Sequence, residues 1–138
     1  MLAQPPIQPP IPQVGVSFAG LPPGWRQFPD TDSGLATSWP YRPGHGGWAL
    51  SIPRDGIAVQ VFFVRGMPPY ASLRLRLPAS TQFALEGAPD VPEYRIHGRV
   101  LGHNVEVWVD IRRARPTAKQ LRLAQQVVSA LRFRQSAG

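Results

Sequence analysis

The sequence predicts an α+β domain, an antiparallel sheet of six or seven strands with a C-terminal helix packed on one face. Three stretches carry that reading. Residues 93–112, EYRIHGRVLGHNVEVWVDIR, are two alternating apolar and polar runs around a glycine. Residues 57–64, IAVQVFFV, are apolar on both faces save Gln60. Residues 116–133 open with a proline and carry an apolar stripe at helical spacing. A chain of 138 residues is one domain by length, and a domain of that size buries roughly 68% of its unfolded surface.

Residues 1–13, MLAQPPIQPPIPQ, hold five prolines. That composition excludes helix and sheet interior and predicts an extended polyproline tether or arm ahead of a single domain over residues 14–138. Residues 14–18 read as a short strand, Leu21-Pro-Pro-Gly24 as a turn and residues 25–28 as a second short strand. Residues 29–34, PDTDSG, are a loop by composition. Residues 35–41 alternate, which places Leu35, Thr37, Trp39 and Tyr41 on one face, and Pro40 argues for an edge or a bulge there. Residues 43–47, PGHGG, are a loop, residues 48–52 a strand and residues 53–56, PRDG, a turn.

Residues 57–64 lack the alternation of a half-exposed strand, so they predict a central strand covered on both sides. Residues 73–77, LRLRL, alternate strictly and show Arg74 and Arg76 to one face. Residues 81–85 read as a strand and 87–92 as a loop. In the hairpin, Gly102-His103 fits a two-residue type II′ turn. That register sets Arg99 against Glu106, Arg95 against Asp110 and Glu93 against Arg112, with Val100–Val105, Ile96–Val109 and Tyr94–Ile111 on the apolar face. It leaves Gly98 opposite Val107, where the missing side chain makes room for a bulky neighbour, and sets His97 facing Trp108. Thr117 and Gln120 then form a T-x-x-Q capping box. Leu121, Ala124, Val127, Val128 and Leu131 line one side of the helix, and Arg132 and Arg134 suit its C-terminal dipole.

Cysteine is absent, which excludes disulfides, thiolate metal ligands and thiol catalysis. The formal charge is +7. This invites a nucleic-acid or anionic-surface partner. Yet Lys119 is the one lysine among fifteen basic residues, and so strong an arginine bias also follows from a GC-rich coding sequence. Asp32-Ser-Gly34 matches the core of an aspartic-protease motif, but its aspartate follows a polar loop where that chemistry needs an apolar strand end. Asp30-x-Asp32 lacks the later acids of a calcium loop, Tyr41 standing where the last should be. His45-Gly46-Gly47 has no nucleophile elbow to serve. His45, His97 and His103 show no ligand spacing. The expectation is a non-catalytic chain with no cofactor and no metal.

Two surface candidates remain. Trp25, Phe28, Trp39, Tyr41 and Trp48 cluster in sequence around the glycine-rich loop, and Trp39, Tyr41, His45 and Trp48 form the candidate ligand site. The competing account of these rings is core packing. Arg74, Arg76, Arg95 and Arg99, with Trp108, form a candidate face for an anionic partner. There the competing account is a solvated sheet face partly neutralised by Glu106 and Asp110.

Pro22 to Trp25 (PPGW), Ala36 to Trp39 (ATSW), Ile52 to Gly56 (IPRDG), Glu93 to Val100 (EYRIHGRV) and Ala124 to Phe133 occur in that order. In this the chain resembles uncharacterised secreted domains of GC-rich bacteria. More remotely, meandering strands closed by a C-terminal helix resemble the PsbP-like α/β sandwich, whose members are mostly non-catalytic extrinsic or binding proteins. The resemblance implies an extracytoplasmic binding or accessory domain with a protein, glycan or anionic-surface partner. Nucleic-acid binding through the arginine face is the alternative, and a hydrolase built on Asp32 a minor one.

Overall fold

The computed structural model describes residues 14–42, 48–81, 83–85 and 88–135. The predicted arm over residues 1–13 and the candidate His45 lie outside them. The strands are β1 Val14–Phe18, β2 Arg26–Thr31, β3 Ser33–Thr37, β4 Ile57–Val64, β5 Phe83–Leu85, β6 Ala88–Val100, β7 His103–Ile111 and β8 Leu131–Gln135. The helices are α1 Trp48–Ser51 and α2 Ala118–Ser129. All ladders are antiparallel, in the order β5-β6-β7-β4-β3-β2-β1-β8. The α+β class therefore holds, with eight strands among the described residues rather than six or seven. None of the described helices is long and apolar enough to cross a membrane.

One face of the sheet carries the main core. Val16, Val59, Val61, Ile96, Val107 and Val109 meet Ala124, Val127 and Val128 of α2, all buried. The predicted capping box is present: Gln120 N–H donates to Thr117 Oγ1 at 3.1 Å and Thr117 N–H to Gln120 Oε1 at 2.9 Å. The helix stops earlier than its stripe suggested. From Leu131 the pattern changes to period two, with Leu131 buried and Arg132 and Arg134 exposed, and the chain pairs with β1 as an edge strand. Arginines on the outer positions protect such an edge from further pairing. Arg132 still serves the helix end, donating from Nη1 to Ser129 O at 3.0 Å.

Four other expectations are corrected. Residues 48–51 are a turn of helix, and residues 88–92 already belong to the long β6. Residues 73–77 are no strand. They form a strap whose Leu73, Leu75 and Leu77 pack on the core. Just before it Ser72 makes a parallel bridge to Arg99, and Gln125 of α2 takes the Leu77 N–H at 2.8 Å and donates to Leu75 O at 2.9 Å. Alternation placed Arg74 and Arg76 on one face correctly, but the strap's backbone partners are a side chain and an edge. Finally, β4 is central, between β3 and β7, yet covered on both sides only at its start: Ala58 is buried, whereas Gln60 and Phe62 are half-exposed.

The hairpin turns one residue earlier than expected. Leu101 and Gly102 hold φ of 50° and 82°, and left-handed values at both central positions define a type I′ turn, the one matching the strand twist. The faces stay as read, but every pairing moves by two residues: Glu93↔Asp110, Arg95↔Trp108, His97↔Glu106, Gly98↔Val105 and Arg99↔Asn104. None of the three expected charge pairs forms across the hairpin, since two of them put Arg95 and Arg99 beside residues that here face other partners. Leu101 is 46% exposed, so its side chain gains little from a backbone region that disfavours L-residues by about 1–2 kcal/mol. Leu101→Asn should raise stability by about 1 kcal/mol in urea unfolding, with the slope unchanged.

Candidate functional site

The sheet's second face is built of cross-strand rows, because residues opposite one another in successive ladders project to the same side. The first row is Glu93, Asp110, Ala58 and Thr37. The second is Arg95, Trp108, Gln60, Leu35 and Phe28, one residue from each of five adjacent strands. The third is His97, Glu106, Phe62 and Ser33. The first row is buried throughout. A small core of Ile52, Ala88 and Val91, with Trp39, Trp48 and Leu85 packed on it, lies on this side. The second row is half-exposed along its whole length.

That step from a covered row to an uncovered one makes a groove running across the strands. A cavity of about 370 Å³ opens there, floored by Leu35 and Gln60 and walled by Phe28, Tyr41, Trp48 and Phe62. The wall is a chain of ring contacts. Phe28 meets Tyr41 edge-on at 5.8 Å, Tyr41 meets Trp48 edge-on at 5.4 Å, and Trp39 lies 6.1 Å from Tyr41 and 6.2 Å from Trp48. On the far side Phe62 stands edge-on to Trp108 at 4.8 Å. Asp30 and Ser33 add polar groups at the rim.

Beneath the wall lies the most unusual pair in the molecule. Glu93 and Asp110 face each other across the hairpin with 1% and 0% exposure. Glu93 Oε1 accepts from Arg95 Nε at 2.8 Å, and Asp110 Oδ2 accepts from Trp48 Nε1 at 3.0 Å. Glu93 Oε2 and Asp110 Oδ1 have no hydrogen-bond partner. A proton kept on one of the two carboxyls gives it a donor to offer the other. Burial first, and then the hydrogen bond to Glu93, push the Asp110 carboxyl up to about 8, against the opposing pull of the Trp48 N–H and the Arg95 charge. The pair therefore ties the Trp48 wall to Arg95. The Arg95 guanidinium is itself clamped between two rings, 4.0 Å from the centre of Phe83 and 4.1 Å from that of Trp108.

The structure brings Trp39, Tyr41 and Trp48 together, though not by the expected strand alternation. β3 ends at Thr37, a tight turn joins Tyr41 N–H to Trp39 O at 2.8 Å, and Trp48 arrives on α1. Trp25 packs instead on the main core. The arginine face is divided. Arg74 and Arg76 sit exposed on the strap fastened to the helix side, whereas Arg95 is spent on Glu93 and two rings on the other side. Arg99 stays exposed at the β6 edge, and Trp108 stands behind the Phe62 wall of the groove, edge-on to that ring. Asp32 takes φ of 61° in the β2–β3 turn, and its Oδ1 accepts the Val14 N–H at 2.9 Å, so it ties β1 to that turn. Among the described residues no group of three or more acids and histidines could hold a metal.

Reading the sequence missed Phe62, because an all-apolar strand implied cover on both sides, and missed the Glu93–Asp110 pair, because the turn was placed one residue late. Local preference pointed away from the register that forms: Gly-His suits a type II′ turn, whereas the type I′ turn places Leu101 in a region that L-residues avoid. No protein-family model, curated protein or solved structure matches the chain.

Proposed function

We propose that the chain is a non-catalytic binding module acting outside the cytoplasm, and that it holds an elongated, weakly charged ligand, a glycan strand, in the cross-strand groove. The supporting observation is the row Arg95–Trp108–Gln60–Leu35–Phe28, half-exposed across five strands and walled by aromatic rings. Ligand sites are mostly apolar and aromatic with a few placed polar groups. Here Phe28, Tyr41, Trp48 and Phe62 offer ring faces and edges to the C–H side of a sugar, and Gln60, Ser33 and Asp30 offer hydrogen bonds to its hydroxyls. The groove carries no net positive charge, since Arg95 is neutralised by Glu93 and the lining adds only Asp30, and this favours a neutral chain over a polyanion. The resemblance to secreted bacterial domains and the proline-rich lead support the location. A fusion of the full-length gene to a periplasmic reporter is expected to be active, and cytoplasmic retention would overturn that part.

The binding claim is tested on a combined glycan and peptide array. Wild type is expected to retain a family of related glycans, and Phe62→Ala, a half-exposed ring outside the core, to bind them about five- to thirtyfold more weakly through a lost contact of about 1–2 kcal/mol. Equal retention by both proteins, or retention of peptides alone, would refute the assignment.

A further inference from the structure

A second concavity lies away from the groove, at the end of the sheet where the β4–β7 ladder runs out. It has a volume of about 460 Å³ and is lined by Arg54, Arg112, Arg113 and Arg115 with Asp55 and Asp90. Its frame is rigid. The turn over residues 53–56 is closed by Gly56 N–H to Pro53 O at 2.8 Å and continues the ladder through Asp55 N–H to Arg112 O at 2.9 Å and Arg112 N–H to Gly56 O at 3.0 Å. Arg112 is fixed by donating to Ile52 O at 2.7 Å and by Asp90 at 3.5 Å. Asp55 is held in turn by Arg113 at 3.3 Å and by Gln120 Nε2 at 3.3 Å.

These contacts pair each aspartate with one arginine. Among the described residues neither Arg54 nor Arg115 has a carboxylate partner, so four guanidiniums against two carboxylates leave two positive charges in excess around one hollow. Like charges gathered on a fixed frame repel one another unless an anion joins them, and guanidinium forks match phosphoryl oxygens in pairs.

We propose that this cavity is a binding site for a phosphoryl dianion, free or carried on a larger molecule. The charge excess matches the dianion, and the volume leaves room for the group that bears it. The site is separate from the groove and does not depend on what the groove binds.

Titration calorimetry of the whole chain with inorganic phosphate and pyrophosphate, against chloride at matched ionic strength, tests the proposal. Saturable binding is expected, tighter for pyrophosphate. The double variant Arg54→Gln, Arg115→Gln should weaken it by about tenfold or more, as expected for two lost charge-assisted hydrogen bonds. Arg74→Gln, Arg76→Gln, the same charge change on the strap, should leave it within about twofold. Phosphatidylcholine vesicles with and without phosphatidic acid separate the two sources. Cavity-dependent vesicle binding assigns a lipid-borne phosphoryl group, and its absence beside phosphate binding assigns a soluble one. No binding of phosphate or pyrophosphate at millimolar concentration, or equal weakening by the two double variants, would overturn the site.

Discussion

Asp110→Asn should make thermal stability nearly independent of pH between about pH 5 and about pH 8, a window in which the wild type weakens steadily. The folded carboxyl is raised to about 8 by burial and by Glu93, whereas in the unfolded chain it titrates near 3.9. Between those values the native protein keeps a proton that the unfolded chain has released. The contribution of Asp110 is thus complete below about pH 4 and lost as pH rises, by about 1.4 kcal/mol per unit until the folded group itself ionises near pH 8. Asparagine preserves the geometry without the titration: its amide oxygen accepts from Trp48, and its NH2 donates to Glu93 Oε2. At pH 8 the variant should exceed the wild type by roughly 5 kcal/mol, or on the order of 10 °C in melting temperature. Scanning calorimetry of both proteins at several pH values checks this. Parallel curves for the two would show that the pair shares no proton.

Gly98→Ala should destabilise the protein by roughly 3 kcal/mol. The physical reason is backbone crowding. A Cβ on Gly98 would stand 2.3 Å from Leu73 Cα and 2.8 Å from Leu73 N, and no rotamer change relieves a collision with main chain. The chain over residues 71–77 must move, which strains Leu73 N–H to Arg99 O at 3.0 Å and Arg99 N–H to Ala71 O at 2.7 Å. Gly15→Ala is the matched control. Its Cβ would meet only Arg134 O at 3.5 Å, an ordinary contact, and the change should fall within about 0.5 kcal/mol. Urea unfolding of the two variants measures the difference, and equal effects would contradict the account of the strap.

The physics explains which parts of this architecture the chain announces. Periodicity tells which residues share a face, and it read the apolar face of the hairpin, the stripe of α2 as far as Val128 and the common face of Arg74 and Arg76 correctly. Register depends on one turn, and local rules favour Gly102-His103, because the turn that forms holds Leu101 at a left-handed φ of 50°. The choice between them decides whether Asp110 meets Arg95 or Glu93. Strand β8 was hidden because Leu131 and Phe133 fit a helical continuation as well as an edge. The groove was half legible. Its rings were grouped by proximity in sequence, but Phe62 and Trp108 enter only through the ladder β3–β4–β7, a long-range pairing that no local pattern encodes.

The most direct test of the groove is amide chemical-shift mapping of the labelled protein with the tightest glycan from the array. Perturbations should concentrate on Phe28, Leu35, Gln60, Phe62 and the Trp108 side chain, running across the strands, while α2 and the turn at Arg54 stay unchanged. Shifts gathered instead on α2, on the strap or around Arg54 and Arg115, with the row across β2–β3–β4–β7 silent, would contradict the binding surface assigned here.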